Sequence, residues 1–309
     1  MQKIRLGTRG SKLALWQADC VAGEIHKILP DLDIEIVVIK TIGDKILDVA
    51  LSKIGDKGLF TREIENALLA EDIDLAVHSM KDLPSILAPD LTLGAVLKRE
   101  NPQDVLISHK NYTISSLPRH GVVGTSSLRR IAQLKALRPD LRMVDLRGNV
   151  ETRIKKMEEQ DLDGIILAYA GVKRLGFTGQ ISEVISKDLL LPAVGQGAIA
   201  IELRAGDSET HKVIAPINDH HTNIATQCER ALLRELEGGC QVPIASLAQI
   251  TGDMIHLEGL VASMDGQILI KGVHSGHLDQ AAEIGRHLAQ NLLSRGADGI
   301  LEEIKRLGE

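Results

Sequence analysis

The sequence predicts an α/β protein with two successive lobes, followed by a smaller α+β domain towards its C-terminal end. Segments typical of strands alternate with segments typical of amphipathic helices over residues 3–204. Such alternation indicates βαβ units, and therefore largely parallel sheets covered by helices on both faces. After about residue 215 the pattern changes. At 309 residues the chain is also long for one hydrophobic core, which favours several domains.

The first lobe is predicted to contain four strands and two helices. Ser11 stands where a helix N-cap is expected, directly before a run of apolar residues at helical spacing. The polar, glycine-containing segment 41–58 is typical of a mobile loop. The predicted strands are 3–9, 33–40, 74–79 and 91–97, and the predicted helices are 11–29 and 60–73.

The second lobe follows a polar crossover at 98–104, and the third domain follows the second lobe. In the third domain we expect a helix, a glycine-rich loop, a strand, a hairpin across the Asp-Gly turn at 265–266, and a final helix broken at Gly296. The predicted strands of the second lobe are 105–108, 121–125, 143–148 and 164–171, its helices are 127–138 and 150–160, and a further strand covers 192–204.

Composition and charge exclude several classes of function. The net charge is −6 and aromatic residues make up 2% of the chain, so neither a basic nucleic-acid surface nor an aromatic stacking platform is expected. The first sixteen residues lack the apolar core of a signal peptide, and no window reaches the ~18 apolar residues of a spanning helix. We therefore expect a cytoplasmic protein without nucleic-acid or membrane partners. Three cysteines with irregular spacing predict no metal site.

Arginine placement is the first functional signal. Residues 119–156 contain ten Lys or Arg against three Asp or Glu. Arg129 and Arg130 lie at a strand-to-helix junction, and Arg147 follows a strand, where ligands bind in parallel sheets. Arg9 and Ser11 repeat this arrangement in the first lobe. Arginine forks on two lobes favour a multiply anionic ligand. The alternative, a solvated basic helix face, stays open from the sequence.

Cysteine and aspartate supply two more candidates. Cys240 follows paired glycines in "LEGGCQVPIA", a setting that exposes the side chain, whereas Cys20 and Cys228 lie in helical patterns beside apolar residues. From the residues alone, a functional thiol at Cys240 and an inert one are equally open. Asp82 lies in the segment "AVHSMKDLP", just after a predicted strand. It is either a charged residue at a strand-to-loop exit, exposed to water, or a reactive carboxylate held in position. His78 is a candidate base in the same segment.

Eight segments together resemble the hydroxymethylbilane synthase (porphobilinogen deaminase) family, in the family's order and almost from end to end. They are "GTRGSKLALWQA" (7–18), "KGLFTREIENALL" (57–69), "AVHSMKDLP" (76–84), "VGTSSLRR" (123–130), "LRGNVETR" (146–153), "ILAYAGVKRLG" (166–176), "LPAVGQGA" (191–198) and "LEGGCQVPIA" (236–245).

The resemblance implies a transferase of tetrapyrrole and haem biosynthesis. Such an enzyme condenses four porphobilinogen molecules head to tail with loss of ammonia, and releases linear hydroxymethylbilane by hydrolysis. The resemblance implies a dipyrromethane cofactor joined to Cys240 by a thioether, and a monomer. It also implies two lobes like those of periplasmic binding proteins, with domain 1 at 1–98 and 198–216, domain 2 at 103–192 and domain 3 at 218–309.

Site residues follow from the same resemblance, position by position. Asp82 matches the catalytic aspartate and makes His78 a weaker candidate base. The cofactor-binding positions are Cys240, Lys81, Ser79, Thr125, Ser127, Arg129, Arg130 and Arg147. The substrate-binding positions are Arg9, Ser11, Arg153, Arg174, Lys53, Lys57 and Phe60. The alternative is a cytoplasmic two-lobed binding protein for a polycarboxylate, without chemistry. Cys240 separates the two hypotheses, because a binding protein needs no exposed thiol.

Overall fold

The computed structural model describes residues 3–45, 60–237 and 242–308. These residues form two compact units. The first comprises 3–45, 60–100 and 197–224, and the second comprises 101–196, 225–237 and 242–308. Each unit is described by itself. The division into three domains at the boundaries given above stays a prediction.

The strands alternate with helices along most of the chain, as expected. The strands are β1 (Lys3–Thr8), β2 (Asp33–Val38), β3 (Leu75–Ser79), β4 (Leu91–Val96), β5 (Asp104–Ile107), β6 (Val122–Gly124), β7 (Arg142–Val144), β8 (Gly164–Ala168), β9 (Ile181–Val184), β10 (Ile199–Arg204), β11 (Ile244–Thr251), β12 (Met254–Ala262) and β13 (Leu269–His277). The helices are α1 (Lys12–Ile28), α2 (Ile42–Lys45), α3 (Arg62–Leu69), α4 (Leu128–Leu137), α5 (Val150–Glu159), α6 (Tyr169–Arg174), α7 (Ser208–Ile214), α8 (His220–Glu235), α9 (Ala281–Leu292) and α10 (Asp298–Gly308). Among the described residues, no helix is long and apolar enough to cross a membrane.

The first unit is built on one sheet with the strand order β2-β1-β3-β10-β4. Only β10 runs antiparallel to its neighbours, so the sheet is largely parallel, as predicted. Alternate residues of β3 enter different cores. Leu75 and Val77 pack with residues of α1, whereas Ala76 packs with Ile64 and Leu68 of α3. Helices therefore cover both faces.

The second unit contains a sheet of the same kind, with the order β7-β6-β8-β5-β9. Here β5 is the strand that runs antiparallel to its neighbours. Val105 and Ile107 join a core with α5 and α6, while Leu106 joins a core with Leu134 of α4. The predicted fold class of two doubly wound α/β lobes is confirmed by these two sheets.

The C-terminal part of the second unit is a smaller α+β layer. Strands β11, β12 and β13 form an antiparallel sheet, which confirms the predicted hairpin, and α9 packs on β12 and β13. Gly259 and Gly272 are opposite each other in register. A Cβ at Gly272 would lie 2.9 Å from Leu288 Cδ1, so glycine here lets α9 approach the sheet closely. The final helix breaks at Gly296, which has φ of 100°.

Several predicted boundaries were wrong, among them the end of the strand predicted at 143–148, which stops at Val144, and both ends of the helix predicted at 60–73, which covers Arg62–Leu69. Two further differences have a clear physical reason. The segment 164–171 was expected to be one strand, but β8 ends at Ala168 and α6 begins at Tyr169. An unbroken apolar run does not show where a buried strand gives way to a buried helix. The strand expected from residue 192 begins only at Ile199. Gly195 and Gly197 have φ of 70° and 90°, which interrupts extended pairing before that point.

Candidate active site

Asp82 lies one short turn beyond the end of β3. Residues Met80–Asp82 form a single 3-10 turn, closed by the Leu83 amide, which donates to the Met80 carbonyl. Leu83 is extended, as the residue before a proline prefers, so the turn does not continue into a helix. Met80 and Leu83 are buried against Val96 and the start of β10, whereas Asp82 is only half-buried. These two apolar anchors fix the turn that carries Asp82.

A polar pocket in the first unit brings Asp82 together with other predicted site residues. The carboxyl ends of β1 and β3 meet at this edge of the parallel sheet, where ligand sites form. Five of the predicted residues line the pocket together with Gln17, Thr61 and His78. The five are Arg9, Ser11, Phe60, Ser79 and Asp82.

Local contacts hold the pocket's side chains in place. The Arg9 guanidinium carbon lies 4.2 Å from the centre of the Phe60 ring, a cation–π contact. Ser11 caps α1, since its Oγ accepts from the Ala14 amide at 3.3 Å. Gln17 Nε2 donates to Ser79 Oγ at 2.9 Å. The arrangement offers a cation, hydroxyl groups and a carboxylate to one small, multiply charged ligand.

Four other predicted site residues are not among the described residues that line this pocket. Lys81 shares the turn with Asp82 and is half-buried, but the described lining of the pocket does not include it. Lys53, Lys57 and Cys240 lie outside the described residues. Their assignments therefore stay predictions.

In the second unit, the loops after β6 and β7 are tied together. Ser126 Oγ donates to the Leu146 carbonyl at 2.8 Å and accepts from the Leu146 amide at 3.2 Å. This places Thr125 and Ser127, at the start of α4, on the same sheet edge as the loop carrying Arg147. Arg153, on α5, donates from Nε to the Gly148 carbonyl at 2.7 Å. Arg174 is the last residue of α6.

Arg129 and Arg130 are buried and bound to Asp104. Arg129 Nη1 lies 2.8 Å from Asp104 Oδ2, and Arg130 Nη2 lies 2.7 Å from Asp104 Oδ1. Arg129 also donates to the Leu191 carbonyl and Arg130 to the Ile166 carbonyl. Burial alone would raise the pKa of Asp104, but the two guanidinium groups hold it well below its usual range. These arginines do not lie on a solvated helix face, because each is 5% exposed.

Arg147 has a donor that the described residues leave unused. Its Nε is buried and makes no hydrogen bond within the described part of the chain, although it lies 3.6 Å from Asp145 Oδ2. A buried guanidinium nitrogen without an acceptor is suited to an incoming carboxylate. The Arg147 loop therefore fits an anionic ligand or cofactor.

Sequence reasoning missed two buried acids. Asp104 opens β5 from a segment that the sequence presents as a polar crossover, and Glu202 lies inside the apolar strand "AIAIELR". Both are 0% exposed. A single carboxylate within an apolar strand was the available signal for Glu202, since such groups are almost never buried without a partner. His78 Nε2 lies 3.2 Å from Glu202 Oε2.

Two family models together match most of the chain. Residues 4–212 match the family model described as "Porphobilinogen deaminase, dipyromethane cofactor binding domain", and residues 224–294 match "Porphobilinogen deaminase, C-terminal domain". Porphobilinogen deaminase of Syntrophomonas wolfei is 59% identical over 99% of this chain and 100% of its own. That of Carboxydothermus hydrogenoformans is 54% identical over 99% of this chain and 98% of its own.

Among solved structures, the periplasmic aliphatic sulphonate binding protein of Escherichia coli matches with a TM-score of 0.43 and 15% identity, over 77% of this chain and 71% of that one. The fold class itself rests on the strand orders of the two sheets. The family models cover most of the chain, and the relatives align with it almost from end to end. This chain is therefore a member of the porphobilinogen deaminase family.

Proposed function

We propose that this protein is a hydroxymethylbilane synthase, which joins four porphobilinogen molecules head to tail with release of ammonia and then hydrolyses the product free. The observation that carries the proposal is the pocket that holds Asp82 beside Arg9 and Ser11, within the segment matched by the cofactor-binding domain of the family. The guanidinium in this small pocket suits the carboxylates of the substrate. The carboxylate suits the pyrrole of the substrate, which becomes cationic.

Asp82 is the residue we assign to the chemical step. When the C–N bond of porphobilinogen breaks, ammonia keeps the bonding electron pair and the pyrrole is left positively charged. A fixed carboxylate stabilises that charge and accepts a hydrogen bond from the pyrrole N–H. The two apolar anchors of the turn, Met80 and Leu83, keep Asp82 in place while the charge develops. Lys81 supplies a neighbouring cation for the carboxylates of the cofactor.

The remaining assigned residues bind carboxylates, except Phe60, whose ring packs against the Arg9 guanidinium. Each porphobilinogen brings an acetate and a propionate, so carboxylates accumulate as the product grows. Guanidinium forks and hydroxyl donors recognise such groups through paired hydrogen bonds. For the substrate we assign Arg9, Ser11, Arg153, Arg174, Lys53, Lys57 and Phe60. For the cofactor's side chains we assign Ser79, Lys81, Thr125, Ser127, Arg129, Arg130 and Arg147.

The dipyrromethane cofactor of this family fits the residues present. Arg147 has a buried Nε without a hydrogen bond in the described part of the chain, as a site for an acidic side chain requires. When bound, the dipyrromethane supplies the terminal pyrrole with a free α-carbon to which substrate is added. We propose a thioether to Cys240 as its attachment. Cys228 is poorly suited to this role, because burial raises the pKa of its thiol to about 12.

The alternative, a polycarboxylate-binding protein without chemistry, is not favoured. Relatives that are 50–59% identical over nearly the whole chain are all named as a deaminase. We also propose that the enzyme works in the cytoplasm as a monomer, in keeping with its membership of a family of biosynthetic enzymes. Light scattering after size-exclusion chromatography measures the second property.

Intact mass and turnover test the proposal together. Under denaturing, reducing conditions the purified protein should exceed its sequence mass by one dipyrromethane, and it should release ammonia from porphobilinogen. Cys240→Ser should abolish the extra mass, while the matched control Cys20→Ser should retain it. An unmodified mass in protein that turns over porphobilinogen would refute the assignment of Cys240. Absence of turnover in mass-shifted protein would refute the proposed reaction.

A further inference from the structure

A buried histidine–glutamate pair lies directly behind the Asp82 pocket. His78 on β3 is opposite Ala200 in the antiparallel register with β10, and Glu202 is two residues further along, so both side chains lie on the same face of the sheet. His78 Nε2 is 3.2 Å from Glu202 Oε2. Their exposures are 5% and 0%. Contact at this distance requires a hydrogen on one of the two atoms.

The pair is poorly explained by a structural role alone. Neither carboxylate oxygen of Glu202, nor Nε2 of His78, makes a well-aligned hydrogen bond within the described part of the chain. Glu229 provides the contrast, because it is equally buried but accepts from the Gly195 amide at 2.7 Å and the Ala248 amide at 2.9 Å. Burying an acid without such bonds raises the free energy of the folded state. Proteins keep acids buried in this way mainly at functional sites.

The surroundings connect the pair to the pocket. His78 lines the pocket with Asp82 and Arg9. Helix α3 packs against β3 and β10, and its charged residues Glu65 and Arg62 lie on this side of the sheet. Burial raises the pKa of Glu65, and the negative charge of Glu202 adds to this effect. Two acids and one imidazole therefore lie close together beside the pocket.

We propose that His78 and Glu202 form a proton store that serves the Asp82 pocket during each coupling step. The pair acts through Asp82 and is therefore a positioning pair rather than a catalytic one. The inference rests on the proposed synthase function and deepens it, by assigning the site that takes up the proton released when the carbon–carbon bond forms.

The proton balance of the reaction requires a group that accepts one proton in each coupling step, and this is the role proposed for the pair. The C–N bond of porphobilinogen breaks and ammonia leaves with its electron pair. A C–C bond then forms from the α-carbon of the receiving pyrrole, and the proton on that carbon is released. Overall, an alkylammonium and a pyrrole C–H give a C–C bond and ammonium. With Nε2 close to Glu202, the other ring nitrogen of His78 can take the proton, and Glu202 stabilises the resulting imidazolium, as in other carboxylate–histidine pairs.

Glu202→Gln tests the proposal, since it keeps the size of the side chain and removes its charge. We expect kcat to fall about tenfold with KM unchanged, below the ~10²–10⁴-fold effect of a direct general base. Without the carboxylate the imidazolium is less stable, so the acidic limb of the kcat profile should move to lower pH.

Glu229→Gln is the matched control, because it also neutralises a fully buried glutamate. It should lower the melting temperature and leave the acidic limb in place. His78→Gln should lower kcat by a similar factor, and the double variant with Glu202→Gln should be no slower than either single one. An unmoved acidic limb in Glu202→Gln, or additive losses in the double variant, would overturn the proposal. A wild-type protein that carries the cofactor but does not turn over porphobilinogen would instead overturn the synthase function, and this inference with it.

Discussion

Asp104→Asn should destabilise the second unit strongly. Asp104 accepts from Arg129 Nη1 at 2.8 Å, from Arg130 Nε and Nη2 at 3.2 and 2.7 Å, and from Gln196 Nε2 at 2.9 Å. An asparagine has one oxygen for this set of donors, and its NH2 group must face at least one of them. Two buried guanidinium groups are then left without a counter-charge. Removing one partner of a buried ion pair costs about 3–5 kcal/mol.

The expected loss can be measured as a shift in melting temperature. For a unit of this size, 1 kcal/mol corresponds to roughly 2–4 °C, so we expect a decrease on the order of 6–20 °C. The pKa of Asp104 lies below its usual range, so its stabilisation is present above about pH 4 and is lost only as the pH falls through the folded-state pKa. The difference between wild type and variant should therefore stay constant from about pH 5 to 8.

Asp161→Asn is the matched control in the same unit. Asp161 forms an ion pair with Lys110 at 2.9 Å, but its side chain is 78% exposed. Loss of such a surface pair should leave the melting temperature nearly unchanged. Calorimetry of the three proteins over the pH range gives the comparison. If Asp104→Asn melts like Asp161→Asn, the buried cluster does not stabilise α4 as the distances imply.

Four further changes have expected outcomes. Asp82→Asn should lower turnover by about 10²–10³-fold with little change in melting temperature, and near-normal turnover would assign the charge stabilisation to another group. Arg130→Lys should be as unstable as Arg130→Leu in thermal melts, since an ammonium cannot reproduce contacts made from three guanidinium nitrogens; recovery of stability by lysine would contradict this. Gly272→Ala should cost about 1–3 kcal/mol in urea unfolding, because its Cβ would lie 2.9 Å from Leu288 Cδ1, and an unchanged midpoint would show that α9 adjusts freely. Burial raises the pKa of Glu65, so its ionisation opposes folding above the ordinary carboxyl pKa, and Glu65→Gln should stabilise the protein more at pH 7 than at about pH 4; equal melting shifts would refute this.

Local patterns in the sequence were sufficient for most of the fold. The helix at 12–28 and its cap at Ser11 depend on residues three or four positions apart, and the hairpin of β12 and β13 depends on one turn. The position of β10 was not predictable in this way. It pairs with β3 and β4 after more than one hundred intervening residues, and no local signal specifies that pairing.

The same distinction separates the predicted from the unpredicted parts of the site. Arg9, Ser11 and Asp82 follow strands of a parallel sheet, and such strand ends meet at one edge, so their grouping follows from the fold class. The partner of Arg129 and Arg130 did not follow, because Asp104 reaches them only through the antiparallel pairing of β5 with β8. Glu202 reaches His78 through the equivalent pairing of β10 with β3.

The two buried acids occupy corresponding strands but differ in what they can do. Each lies in the one described strand that runs antiparallel within its sheet, Asp104 in β5 and Glu202 in β10. Asp104 faces two guanidinium groups, which stay charged at any working pH, and its own pKa is held low, so this cluster does not exchange protons. Glu202 faces an imidazole, the side chain whose charge changes near neutral pH, and a second acid is nearby on α3. The electrostatics therefore suit the first cluster to holding α4 in place and the second to handling protons beside Asp82.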